Sequence, residues 1–334
     1  MKKSKLISVL ILFALLITVF VIAGCSKDEK SGAESTSETP LKIGISKIVA
    51  HPALDALEQG VIEVISEEYP DTVFDLQNAN GEMSTAASIA QKFKAEKVDL
   101  AVGIATPTAQ ALAQAIRKNP VIFCAVTDPV DAGLVETTAK GEGNITGVSD
   151  MTPVREQIEL LSTLIDLKTL GHVYTNSEAN AVRLAEITEE VCGELGIKFI
   201  GTGVTNSAEV KQAAQTIAGK VDAFYVSTDN TVVSAISALI DVADKAGIPI
   251  VSADPTSSEN GGVLLAWGFD YYKMGKATGR LILEILGGKN PDSIPTMFMT
   301  DPADIDLLID TENAEKLGIT IPADLLSAAR TVQK

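Results

Sequence analysis

The chain is poor in the side chains that most often carry chemistry. Its 334 residues include two histidines, His51 and His172, and three cysteines, Cys25, Cys124 and Cys192. None of these falls at metal-ligand spacing, so no metal site is expected, and so few thiols exclude a disulfide scaffold. Walker, GxGxxG, GxSxG and HExxH sequences are missing, so neither a cofactor nor a catalytic nucleophile is expected. Positive charge is short as well. The formal net charge is −17, which argues against nucleic acid or anionic lipid as a partner, since both need a basic face. Aromatic residues make up only 4%. Trp267, Tyr271 and Tyr272 gather late in the chain, where they read as hinge packing or as a stacking wall for a ligand ring.

What is present begins with a leader. Met1–Lys5 carries three lysines, and an apolar run from Leu6 to Ala23 ends in VIAGC. A charged start, an apolar stretch and a small-residue processing site read as a signal peptide over residues 1–24. Ile22-Ala23-Gly24-Cys25 resembles the lipobox of bacterial lipoproteins, which implies cleavage before Cys25 and diacylation of its thiol, with palmitate-type chains. The alternative is an uncleaved membrane anchor. Either reading puts the body at the cell membrane, on its extracytoplasmic face. Residues 25–40 hold Ser, Thr, Lys and Glu with no large apolar side chain, so they read as a disordered tether.

The body repeats itself. Residues 82–112 (EMSTAASIAQKFKAEKVDLAVGIATPTAQAL) are echoed by residues 208–239 (AEVKQAAQTIAGKVDAFYVSTDNTVVSAISAL). Each is an amphipathic helix, a buried strand opening with Val-Asp, a polar turn and a new helix. Each is followed by an apolar strand ending in Asp-Pro, at 121–129 and 248–255. Alternating strands and helices predict α/β lobes with parallel sheets and helices on both faces. The first lobe is expected over 41–148 plus about 270–298, and the second over 149–269 plus about 299–334. About three crossover strands join them, near 143–149, 262–270 and 304–310. Cys124 and Cys192 then fall in different lobes and are expected to be buried free thiols, because a disulfide between them would lock the lobes together. In open α/β sheets ligands sit beyond the carboxyl ends of the strands, so a small molecule is expected in a cleft between the lobes.

Strand ends supply the candidate binding residues. They are Ser46, His51, Asn78, Thr106, Thr127 and Asp128 in the first lobe, and Asn176, Asn180, Asp229, Asn230 and Asp254 in the second. Many of these residue types are also N-caps or turn formers, which explains part of the pattern without a ligand. Helix starts nevertheless present N–H groups and positive dipole ends that suit a carboxylate. Thr106 and Thr127 would hold a ligand carboxylate, while Asp229 and Asp254 would hold an ammonium. His172, in an apolar strand, reads as structural.

Several blocks carry a resemblance: HPALDALEQG (51–60), NANGEMSTAASIAQKF (78–93), VDLAVGIATPTAQA (98–111), AVTDPVDAGLV (125–135), NITGVSDMTPV (144–154), VTNSAEVKQAAQ (204–215), VDAFYVSTDNTVVSA (221–235) and GFDYYKMG (268–275). Together they resemble the solute-binding proteins of a bacterial ABC transporter family, from Leu41 to Ile321. The resemblance implies the type I periplasmic-binding-protein fold and a receptor role without enzymatic activity. It also implies an amino-acid ligand, aromatic in some members, and partnership with a permease and its ATPase subunit. A monomer is expected. Two alternatives stand beside this: a surface ligand sensor for a membrane kinase, and an anchored hydrolase using Asp229 and Asp254 as paired carboxylates.

Overall fold

A computed structural model describes residues 40–258, 261–329 and, for the backbone, 331–333; the leader, Cys25 and the tether lie outside them. In lobe one, strands β1 (Lys42–Lys47), β2 (Val73–Asn78), β3 (Leu100–Ile104), β4 (Val121–Cys124) and β5 (Ile145–Ser149) are joined late in the chain by β11 (Met297–Phe298). The sheet order is β11-β5-β4-β3-β1-β2, parallel throughout. Lobe two is built from β6 (Thr169–Thr175), β7 (Lys198–Val204), β8 (Ala223–Val226), β9 (Ile250–Ser252), β10 (Leu265–Phe269), β12 (Ile305–Asp310) and β13 (Thr331–Gln333). Its order is β13-β12-β10-β9-β8-β6-β7, with β12 antiparallel to β10. Thus β2-β1-β3-β4-β5 in one lobe is matched by β7-β6-β8-β9-β10 in the other. The repeat read from sequence is a repeat of topology.

Burial explains why these strands form. β3, β4 and β8 are buried at every position, because helices cover both faces of a parallel sheet and the sequence there is continuously apolar. The chain passes between the sheets three times: after β5, after β10 and between β11 and β12. After the second passage, helix α9 (Tyr271–Leu286) returns to lobe one and lies on helix α1 (Pro52–Glu68). Glycines set that close approach. A Cβ on Gly60 would stand 2.5 Å from the Tyr272 carbonyl oxygen, and one on Gly275 would stand 2.3 Å from the Leu57 carbonyl oxygen. The tight seam fixes Tyr271, at the start of α9, against lobe one.

Three elements depart from what the sequence pattern predicts. The pattern predicts one helix over 230–246, but the chain forms two, α7 (Asn230–Ser234) and α8 (Ile236–Ala246), broken at Ala235, where φ is −114° and ψ is 20°. The β-branched run Thr231-Val232-Val233 propagates a helix poorly. The apolar run predicts a strand over 121–126, but β4 stops at Cys124 because Ala125 takes φ +56°. The pattern predicts a helix over 107–118, but α3 (Thr106–Ala115) stops at Ala115, with Ile116 already extended and its carbonyl accepting from Asn144 Nδ2. The short elements β11, β13 and α11 (Ala323–Ala328) have no counterpart in the sequence reading.

Candidate functional site

Where strand ends of the two sheets face each other, the lobes border a small shared cavity. His51, Ala53, Leu54, Ala105, Ala125 and Thr127 line it from lobe one, with Asp150 at the first crossover and Tyr271 at the second. Asn180, Thr228, Asp229, Asn230, Val233 and Asp254 line it from lobe two. None of its polar side chains belongs to a residue more than 9% exposed. The lobes therefore stand closed, and the Thr127 and Thr228 hydroxyls lie 3.5 Å apart across the divide.

Lobe one presents backbone. Helix α1 begins at His51-Pro52 and helix α3 at Ala105-Thr106-Pro107, and neither has a side-chain N-cap. Their first N–H groups stay outside the intrahelical ladder, and both helices end their positive dipole at the cavity. Ala105 takes φ +73° with ψ 159°, and Ala125 takes φ +56°. For alanine these are strained conformations, of order 1–3 kcal/mol each, of the kind that cluster at ligand sites. They sit at the ends of the neighbouring strands β3 and β4, bordering the same cavity. Just behind it, Ser46 Oγ and Thr106 Oγ1 are buried without a hydrogen-bond partner.

Two buried carboxylates border the same cavity. Asp150 accepts a hydrogen bond from Thr127 Oγ1 at 3.1 Å, and burial with the nearby Asp254 charge pushes its pKa up to about 6. Asp254 is likewise raised by burial, and the His51 ring beside it only partly offsets this. One Asp254 oxygen accepts from the Thr256 N–H and hydroxyl, at 2.9 and 2.8 Å. His51 is held below its ordinary pKa by burial, against the opposing pull of Asp254, and neither ring nitrogen has a hydrogen-bond partner. No lysine or arginine is among the lining residues. Two buried carboxylates near one another without a cation oppose ionisation, unless a ligand brings positive charge.

Asp229 has a different task. Its Oδ2 accepts from the Thr175 N–H at 2.6 Å, and its Oδ1 accepts from the Thr175 hydroxyl at 2.8 Å and the Val232 N–H at 3.0 Å. It thus caps α7 and ties it to the end of β6. Burial and the adjacent Glu178 carboxylate raise its pKa. Glu178 itself accepts from the Thr231 N–H and hydroxyl and from Asn230 Nδ2. Asp229 borders the cavity with three of its acceptor sites engaged by Thr175 and Val232, so capping and tying α7 is the role its contacts display.

Of the residues singled out from sequence, His51, Thr127, Asn180, Asp229, Asn230 and Asp254 come together around the cavity. Ser46 and Thr106 lie buried behind it. Asn78 caps a turn at the end of edge strand β2 through the Asn80 N–H, and Asn176 is exposed, its carboxamide packed over Gly203 on edge strand β7. Asp128 caps the turn at Val130 and Asp131 and faces Arg183. None of these three lines the cavity. His172 is buried in lobe two, 3.1 Å from Ser227 Oγ, and burial lowers its pKa to about 3. Trp267 packs outside, near Leu307 and Leu325. Tyr271, which the sequence offers as hinge packing or a ligand wall, borders the cavity, and so does Asp150, which is not among the strand-end candidates because the strand before it reads as a crossover. Among the described residues, no group of three or more His, Cys, Asp or Glu side chains is set to hold a metal ion.

A family model for ABC transporter substrate-binding proteins matches residues 42–333. The chain belongs to that family. A tyrosine-binding protein of Clostridioides difficile is 36% identical over 310 residues, covering 90% of this chain and 89% of that protein. A solved domain from a Streptococcus, in complex with L-Trp, is 33% identical with a TM-score of 0.83, covering 88% of this chain and 100% of the other. A ligand-free, open structure of a Clostridium difficile substrate-binding protein with adhesive properties is 34% identical, covering 88% of this chain and 99% of the other. Its TM-score is 0.65. At nearly equal identity, the similarity in structure is higher to the L-Trp complex than to the ligand-free, open structure. The family overturns the hydrolase alternative: a substrate-binding protein holds its ligand without turning it over.

Proposed function

We propose that this substrate-binding protein is the lipid-anchored, extracytoplasmic receptor of an importer for an aromatic amino acid, tyrosine or tryptophan, handing it to a membrane permease driven by an ATPase subunit. The observation that carries the reading is the mixed polarity of the cavity lining. Uncapped helix starts and strained strand ends of lobe one border the same cavity as the buried carboxylates of Asp150 and Asp254. A zwitterionic α-amino acid matches both kinds of group at once: its carboxylate meets N–H groups and helix dipoles, and its ammonium meets the aspartates. The walls between, Leu54, Val233 and Tyr271, suit a ring. The tyrosine-binding relative and the L-Trp complex support the same class of ligand.

The deciding experiment is calorimetric titration of the body, freed of any pre-bound ligand by unfolding and refolding, with all amino acids, nucleosides and sugars. Tight binding of tyrosine or tryptophan, with matching gains in melting temperature, is expected. Binding of a sugar or nucleoside in their place refutes the amino-acid assignment.

A further inference from the structure

The acidic average of this chain conceals one strongly basic groove. It lies at the end of lobe one away from the cavity, where the C-termini of α2 (Met83–Glu96) and α3 meet the starts of β3 and β4. Lys94, Lys97, Arg117 and Lys118 rim it, all exposed, over a floor of Phe93, Val98 and Ile116. Most cations of the body are paired with carboxylates, as Lys42 is with Glu96 and Lys211 with Asp241. These four have no carboxylate partner among the described residues. Asp99 also borders the groove, but its Oδ2 accepts from the Lys42 backbone N–H at 2.8 Å. Two helix C-termini offset part of the positive charge.

That hydrogen bond locates a second feature. Lys42 opens β1, so the described chain begins at the groove. From Cys25 to Lys42 a fully extended chain reaches at most roughly 60 Å. We propose that the groove is a docking surface for the headgroups of an anionic bilayer, which orients the anchored body on the membrane. Its cations would sit at headgroup phosphates while the remaining surface carboxylates are screened, since the Debye length is about 8 Å in physiological salt. Acyl chains at the far end of a flexible segment hold the body near the bilayer without setting its orientation, and a basic patch would supply that. The link to orientation rests on the lipid-anchor reading; the surface itself is testable without it.

The body from Pro40 onward, a compact unit by itself, is sedimented with phosphatidylcholine vesicles with and without phosphatidylglycerol, across a salt series. Partitioning is expected only with the anionic lipid and falls as salt rises. Lys94→Glu/Lys97→Glu and Arg117→Glu/Lys118→Glu should each reduce it at least about tenfold, since each surface cation contributes about fivefold. The control Lys198→Glu/Lys220→Glu makes the same charge change in lobe two and should leave partitioning within about twofold. Unchanged melting temperature and amino-acid affinity show that the variants fold. An equal loss in the control means net charge alone acts and overturns the proposal. So does the absence of partitioning at low salt, or its abolition by inorganic phosphate at constant ionic strength, which would mark a small-anion site.

Discussion

Asp128 and Arg183 face each other from opposite lobes, with Arg183 Nε 3.6 Å from Asp128 Oδ2. Asp128 follows β4 in lobe one, while Arg183 lies on helix α5 (Ala179–Leu195) of lobe two, so the pair exists only while the lobes are together. Both side chains are partly exposed, at 25% and 31%, and such pairs contribute about 0.2–1 kcal/mol. Asp128→Asn keeps the turn-capping oxygen and removes the charge. It should weaken ligand affinity by no more than about fivefold, with the difference vanishing at high salt. Titrations of both proteins at low and high ionic strength check this; a hundredfold loss would put Asp128 in contact with the ligand.

Asp254 belongs to the opposite case. Asp254→Ala removes one charge-assisted contact, about 1.5–3 kcal/mol, and should weaken amino-acid binding at least about tenfold. The ligand-free protein should keep or gain stability, because an unpaired buried carboxylate is removed. Calorimetry and chemical denaturation of the same preparation separate the two effects.

Asp150 predicts a pH dependence. Its folded-state pKa of about 6 lies above the ordinary value of 3.8, so between them the folded state binds more protons than the unfolded one. Its contribution to ligand-free stability therefore rises as pH falls from about 6 to about 4, and is unfavourable at neutral pH. Asp150→Asn should abolish that part of the slope. Ligand ammonium favours the ionised form, so binding near pH 6 should release protons, measurable as a dependence of binding heat on buffer ionisation enthalpy.

Ala105 and Ala125 test the backbone strain. Replacing Ala105 by glycine, which tolerates positive φ without steric cost, should stabilise the fold by about 1 kcal/mol, whereas Ala105→Val should destabilise it. Thermal melts of the two variants in the absence of ligand read this directly.

Much of the architecture was legible because continuous apolar strands and amphipathic helices leave periodic traces; α1, α5 and β7 begin and end where the pattern does. The topology repeat was visible in Val-Asp and Asp-Pro landmarks. The site was only half legible, since a strand end is visible in sequence while sheet order is not. Asn78 ends an edge strand and Asn176 turns toward one, whereas Thr127 and Asp254 follow central strands that border the cleft. Asp150 follows a central strand too, but from sequence the stretch 143–149 looks like a crossover, which hides it as a strand end. Asp229 shows a further blind spot. An aspartate before a helix looks the same whether it caps that helix or meets a ligand, and only its three bonds to Thr175 and Val232 decide.

Closure around the cavity has a kinetic meaning. A bound amino acid surrounded by residues this deeply buried has no route out while the lobes stay together, so its residence time is governed by how often the three connecting segments flex. Substitutions far from the lining can then lengthen or shorten occupancy without altering a single ligand contact. A permease that engages both lobes and draws them apart would obtain the ligand by acting on those segments, with the chemistry of the pocket left untouched.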